Sequence, residues 1–155
     1  MGALGRALGF DAWAAHSAGL FEECGKALLF RNSPSCYRRL WAGASTNDCE
    51  LSTLELDAFG TSHDILGAAL CETWGLTPSA VHSVRHHVEF QASLVLPRPE
   101  SYRAICGLSA LAHRVMCLPA DTTRCIELVA KQLGLPPERV AAVVPIGPHR
   151  LGVAS

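Results

Sequence analysis

The chain has 155 residues, 49% of them hydrophobic and 17% charged, with a formal net charge of −1. This is about one domain's worth of chain with enough apolar side chain to fold around a core, which excludes a disordered protein. Its thirteen Lys and Arg residues are scattered, so no electrostatic footprint for nucleic acid or an anionic membrane stands out.

The N-terminal run Met1-Gly2-Ala3-Leu4-Gly5-Arg6 lacks a long apolar segment, and Arg6 stands where a myristoylation signal needs Ser or Thr. No stretch reaches the roughly 18 uninterrupted apolar residues of a membrane span. A soluble, cytoplasmic protein is therefore expected, with neither nucleic acid nor membrane as partner. Seven cysteines, with no Cys-x-x-Cys pair and several on apolar helix faces, fit buried thiols better than a disulfide framework.

Periodicity is helical throughout, and nothing of strand length alternates. Asp11 is placed to cap a segment from Ala12 towards Phe30, in which Trp13, Leu20, Phe21, Cys24 and Leu28 recur at helical spacing. Gly19 and Gly25 weaken its middle, so a close helix contact or a break is expected there. Ser33 as cap and Pro34 at the first helical position restart the chain, with Tyr37, Leu40 and Trp41 as the apolar stripe. Ser45-Thr46-Asn47-Asp48 reads as a turn. Ser52 to Phe59 follows as a short helix with Leu54 and Ala58 on one side and Glu55 on another.

Thr61 and Asp64 form a capping-box-like pair, after which Leu66, Leu70 and Trp74 repeat until Gly75 stops the helix. Thr77-Pro78 opens the next, with Val81, Val84 and Val88 as its stripe. On a helical wheel His87 borders that stripe, whereas His86 lies round the side with His82 and Glu89. Leu94 to Pro99 is a short connector. Ile105, Leu108, Leu111, Ala112 and Val115 define another helix; Ile126, Val129, Ala130 and Leu133 define one that Gly134 ends. Pro136-Pro137-Glu138 starts a last short helix through Val144, and Pro145 to Ser155 reads as a frayed tail.

Helices with one apolar stripe each pack into an all-α bundle, where side chains distant in sequence can converge. The candidate ligands are Glu22, Glu23, His63, His86, His87 and His113, a mixture of imidazole and carboxylate that suits Zn, Fe, Mn or Ni. No zinc-finger spacing and no His-Glu-x-x-His accompanies them. Without a fixed cation, the simpler reading is one of ordinary structural residues. His63 would bond a neighbouring backbone group at a helix start, and one of His86 and His87 would be satisfied inside while the other is solvated. Glu22 and Glu23 would form an exposed face, His113 would be partly exposed, Lys26 solvated, and Trp41 and Trp74 core anchors.

Glu55, Phe59-Gly60-Thr61-Ser62-His63, Gly67, Trp74-Gly75-Leu76, Pro78 and Arg85-His86-His87 stand in register with the signature of the HDOD domain, a helical relative of the HD phosphohydrolases, and the chain resembles that family. Ala18-Gly19-Leu20-Phe21-Glu22-Glu23-Cys24-Gly25-Lys26 resembles its AGLLHDIGK segment, and Leu111-Ala112-His113 its late LAD-like helix. The resemblance covers about residues 10 to 117, and more loosely the remaining helices, and implies an HD/HDOD helical bundle; residues 1–144 are thus expected to form one partial domain, with 145–155 as the flexible tail. It marks Glu55, Gly60, His63, Gly67, Trp74, Leu76, Pro78 and His87 as scaffold positions. Where catalytic relatives carry a metal-binding His-Asp pair and a late Asp, this chain has Glu22-Glu23 and His113. The N-terminal helices of the family have no counterpart before Met1, so the chain resembles the C-terminal part of the domain.

From these departures the expected function is a non-catalytic regulatory module of bacterial signal transduction, acting through protein contacts and needing no cofactor. An apolar face left by the absent helices, at Trp13, Phe21, Leu28 or similar residues, would serve a protein partner or self-association. The alternative is a divergent phosphohydrolase acting on nucleotides or cyclic dinucleotides through a divalent metal such as Fe, Mn or Zn, held by Glu23, His63, His86, His87 and His113. A truncated fragment without independent function is the third reading.

Overall fold

A computed structural model describes residues 1–44 and 48–144, and among these the chain is helical with no strand. The helices are α1 (Gly2–Leu8), α2 (Ala12–Phe21), α3 (Cys24–Asn32), α4 (Pro34–Gly43), α5 (Asp48–Phe59), α6 (His63–Thr73), α7 (Pro78–Ser93), α8 (Glu100–Cys117), α9 (Thr122–Leu133) and α10 (Pro137–Ala141), with a single 3-10 turn at Pro119–Asp121. The expected tail and residues Ser45, Thr46 and Asn47 of the expected turn lie outside the described residues. None of the described helices is long and apolar enough to cross a membrane.

The long helices α7 and α8 form the centre of the bundle: α6 and α2 pack on α7, α9 on α8, and α1 against α2. Leu4 and Leu8 of α1 join Ala14, Ala15 and Ala18 of α2, Phe90 of α7, Leu108 and Leu111 of α8, and Val129 of α9 in one apolar cluster. A smaller cluster of Ala68, Cys71 and Val84 lies between α6 and α7, against Phe21 and Cys24. The connector between α7 and α8 turns through Leu94 at φ 57°, and Gln132 of α9 holds it. The Gln132 carboxamide donates to the Leu94 carbonyl and accepts from the Leu96 amide, each at 2.8 Å.

Several boundaries follow from local chemistry. The Asp11 carboxylate accepts from the Trp13 and Ala14 amides at 3.0 and 2.9 Å, which satisfies two of the open donors of α2. Thr77 caps α7 with Pro78 in its first turn, and Gly75 and Gly134 end α6 and α9 in the left-handed conformation. Between α2 and α3 the chain both breaks, at Glu22-Glu23, and closes in, at Gly25. A Cβ on Gly25 would stand 1.9 Å from the His63 carbonyl oxygen, so α3 crosses the start of α6 backbone to backbone.

Other expectations are corrected. In α2 the buried face is the small one, Ala14, Ala15, Ser17 and Ala18, while Trp13 and Leu20 are exposed, because α7 and α8 approach closely enough to admit only short side chains. Trp41 and Trp74 are about half exposed instead of anchoring the core. The buried face of α6 is His63, Asp64, Gly67, Ala68 and Cys71, set to one side of the Leu66, Leu70 and Trp74 stripe. That of α5 is Leu51 and Glu55, with Ala58 exposed. Thr61 and Asp64 do not form a capping box: Ser62 is the cap residue, and Asp64 instead accepts from its hydroxyl and from Arg85. Ser33 precedes α4 without a side-chain capping bond.

Candidate functional site

The site is organised by Glu55, a fully buried carboxylate on α5. One of its oxygens accepts from the Tyr37 hydroxyl of α4 at 2.6 Å. The other accepts from both the backbone N–H of His63 at 2.7 Å and the ring Nδ1 of the same residue at 2.6 Å. Burial, and then the bond to Glu55, push the Tyr37 hydroxyl well above the ordinary phenol range, so it stays a donor. The amide that Glu55 captures is one of the open donors at the start of α6. The sequence reading that His63 bonds a neighbouring backbone group is thereby corrected, since its ring partner is a carboxylate from another helix.

That bond also decides the tautomer. Nδ1 carries the proton towards Glu55, leaving the Nε2 of His63 buried with no partner. His87, on the inward face of α7 as its wheel position predicts, is in the same state. Its Nδ1 donates to the Val84 carbonyl at 2.7 Å and its buried Nε2 has no partner. The two rings lie edge to face, with centroids 5.2 Å apart.

Glu23, at the break before α3, completes a group in which one ligand atom from each of Glu23, His63 and His87 lies within 4.8 Å of the others. Two orphaned imidazole nitrogens, each with its other nitrogen held, and a carboxylate beside them form a donor set that fits one divalent ion. His86 lies outside the group, half exposed, with its ring against His82 and its Nδ1 3.6 Å from Glu89. His113 is also outside it. Half-buried on the wall of an adjacent cleft, its imidazole is shifted towards the neutral form by burial, against the pull of Asp48 and Glu22.

That cleft, of about 730 Å³, is lined by Glu23, Lys26, Trp41, Asp48, Leu51 and His113 among others. Lys26 crosses its floor. Its Nζ lies 2.7 Å from Glu23 and 2.7 Å from Asp48, with the side chain only 12% exposed, and 5.3 Å from the Trp41 ring centroid. Burial opposes both charges in this pair. The carboxylates nevertheless hold the lysine above its usual range, and the lysine holds Asp48 below the usual carboxylate range. The expectation of a solvated Lys26 is thus corrected. Glu22 is corrected as well: it turns inward, accepting from Gln91 of α7 at 2.7 Å and from Ser109 of α8 at 2.6 Å.

Nothing in the sequence by itself singles out Asp48, Tyr37 or an inward role for Lys26. Asp48 sits at the end of a stretch that reads as a turn, and only the fold carries it across to α3. The three-residue spacing of Glu23 and Lys26 was the one local signal available. Among the scaffold positions, Gly60 and Gly75 adopt φ of 71° and 73°, which turns need and side chains resist. Gly67 lies against Val84 and Cys24, Leu76 packs at the edge of both apolar clusters, and Pro78 opens α7.

Residues 1–90 match the family described as the HDOD domain. Among solved structures, a chain from Shewanella amazonensis SB2B, provisionally named a phosphohydrolase, is similar over 92% of this chain and 55% of its own, with 17% identity and a TM-score of 0.61. This chain thus spans little more than half the length of the Shewanella protein, and at that identity the likeness is one of fold. No curated protein matches it. The family match covers more than half of the residues and includes Glu55, His63 and His87 with the helices that position them; the chain belongs to the HDOD domain family.

Proposed function

We propose that this chain is a non-catalytic regulatory module of bacterial signal transduction, working by contact with another protein. The observation that carries this reading is Lys26, whose ammonium pairs with both Glu23, the carboxylate beside the inward histidines, and Asp48, and so offsets one of their two negative charges. A centre with its own fixed cation has less electrostatic need of a metal. Glu22, which stands where the HD signature has histidine, is likewise committed to Gln91 and Ser109 and ties three helices together. Contact surface is available outside the centre. Trp13 and Leu20 on α2 and Met116 on α8 are exposed, and Leu20 and Met116 line one groove.

A second reading, a divergent metal-dependent phosphohydrolase, is favoured by the two orphaned Nε2 atoms beside Glu23. His63, His87 and Glu23 would hold the ion, which when bound would supply Lewis-acid charge to a phosphoryl oxygen. Glu55 and the Val84 carbonyl would keep the two rings oriented for it.

Elemental analysis of the purified chain, with assays on bis(p-nitrophenyl) phosphate and a cyclic dinucleotide with and without added Mn(II), separates the two. The regulatory reading expects no turnover above buffer in any arm. Turnover that is lost in the His63→Ala variant would replace it with the phosphohydrolase.

A further inference from the structure

We propose that Lys26 and a divalent cation compete for Glu23 and are mutually exclusive occupants of the centre it forms with His63 and His87, so that the lysine sets its metal affinity. The inference deepens and rests on the reading of a centre that carries its own cation, and concerns the same side chains. Three observations carry it. The Nε2 atoms of His63 and His87 are buried without partners, and one ring nitrogen of each histidine lies within 4.8 Å of the other and of a Glu23 oxygen, which is the arrangement a cation fills. Lys26 holds that same Glu23 side chain at 2.7 Å. Its second bond, to Asp48 at 2.7 Å, draws on the other carboxylate of the cleft floor.

An ion entering between the histidines and Glu23 would therefore meet an ammonium already bound to its only carboxylate ligand; Glu23 is half exposed, but Lys26 is largely buried and both imidazoles fully so, and at such short range water screens the repulsion between the two cations only in part. Lys26 must let go of Glu23, keeping the Trp41 ring that it already stands 5.3 Å from, or the ion does not bind. Removing the charge at constant side-chain length leaves Glu23 and Asp48 unpaired and free to bind.

The test is a calorimetric titration of the full chain and of Lys26→Met with Co(II), with a thermal melt to verify folding. The variant should bind one Co(II) per chain at least ten-fold more tightly than the wild type, and should lose that gain when His63→Ala and His87→Ala are added. Equal or weaker binding by Lys26→Met, or a gain that survives loss of both histidines, would overturn the proposal. Lys26→Gln carries the same expectation if the methionine variant does not fold. In the wild type, saturating Zn(II) should shift the Lys26 Nζ resonance in step with those of His63 and His87. A lysine resonance that stays fixed while both histidines titrate would also overturn it. The readout is affinity, so it stands apart from the hydrolysis assay: exclusion can fail while the module is non-catalytic, and hold if it is not.

Discussion

Glu55 holds this site together more than the histidines do. Four groups depend on it or on its immediate partner: the Tyr37 hydroxyl, the His63 amide, the His63 ring and, through that ring, the orientation towards His87. Glu55→Ala would leave three buried donors without an acceptor, each costing about 1–3 kcal/mol. Urea unfolding should show a loss of at least about 3 kcal/mol, whereas Tyr37→Phe, which removes one donor, should cost about 1–3 kcal/mol. Equal losses would mean that the Glu55 bonds to His63 contribute little. The sequence pointed to Glu55, His63 and His87 together only through their register with the family signature. Nothing in spacing alone says that a glutamate eight residues before a histidine will bond both its amide and its ring. Solvation is the ordinary expectation for a lysine, and at Lys26 only the placement of Asp48 opposite α3 overrides that rule.

Among the helices, glycine terminators and two of the caps were more legible than faces, although Ser33 and Thr61 do not cap as their positions suggest. Asp11, Thr77, Gly75 and Gly134 act through bonds and backbone angles within a few residues, so their reading needs no knowledge of neighbours. Faces depend on what packs opposite. In α2 the large residues point outward and alanines face α7 and α8, an inversion that hydrophobic spacing cannot anticipate. The α1 helix, Gly2–Leu8, escaped notice because its glycines suggest no helix, yet Gly5 lies against Ala15 and Leu108 where a longer side chain would not fit. The crossing of α3 over α6 makes a sharper test. Because a methyl group at Gly25 would collide with the His63 carbonyl, Gly25→Ala must push the helices apart at the centre itself. Overpacking of this kind costs about 1–3 kcal/mol or more, and fluorescence-monitored unfolding should place the variant at or above the top of that range. A smaller loss, below about 1 kcal/mol, would show that the crossing can loosen freely.

At the scale of the molecule, burial of imidazoles sets the response to acid. His82, stacked on Tyr102 with ring centroids 4.3 Å apart, and His113, in the wall of the cleft, are both shifted towards the neutral form, first by burial. His86 reinforces the shift at His82 and Glu89 opposes it. A histidine whose folded pKa lies below its unfolded value, about 6.5, binds protons more readily when unfolded. Stability is therefore complete above that pH and falls as pH drops through 6.5 towards the folded values. Melting temperature should decline between pH 7.5 and 5.5, and the decline should be shallower in a His82→Gln, His113→Gln double variant; an unchanged slope would assign the effect elsewhere. The all-α bundle was legible as a whole because helical periodicity runs the length of the chain, while the way its second half supports the first was not. That support has a bearing on where the protein can be cut. The family match ends at residue 90, inside α7, yet Glu22 is satisfied by Ser109, the core around α2 is filled by Leu108 and Leu111, and the connector after α7 is clamped by Gln132. A fragment trimmed to the matched residues would keep Glu55, His63 and His87 but lose these contacts, and the alanine face of α2 would lie open where Leu108 and Leu111 now cover it.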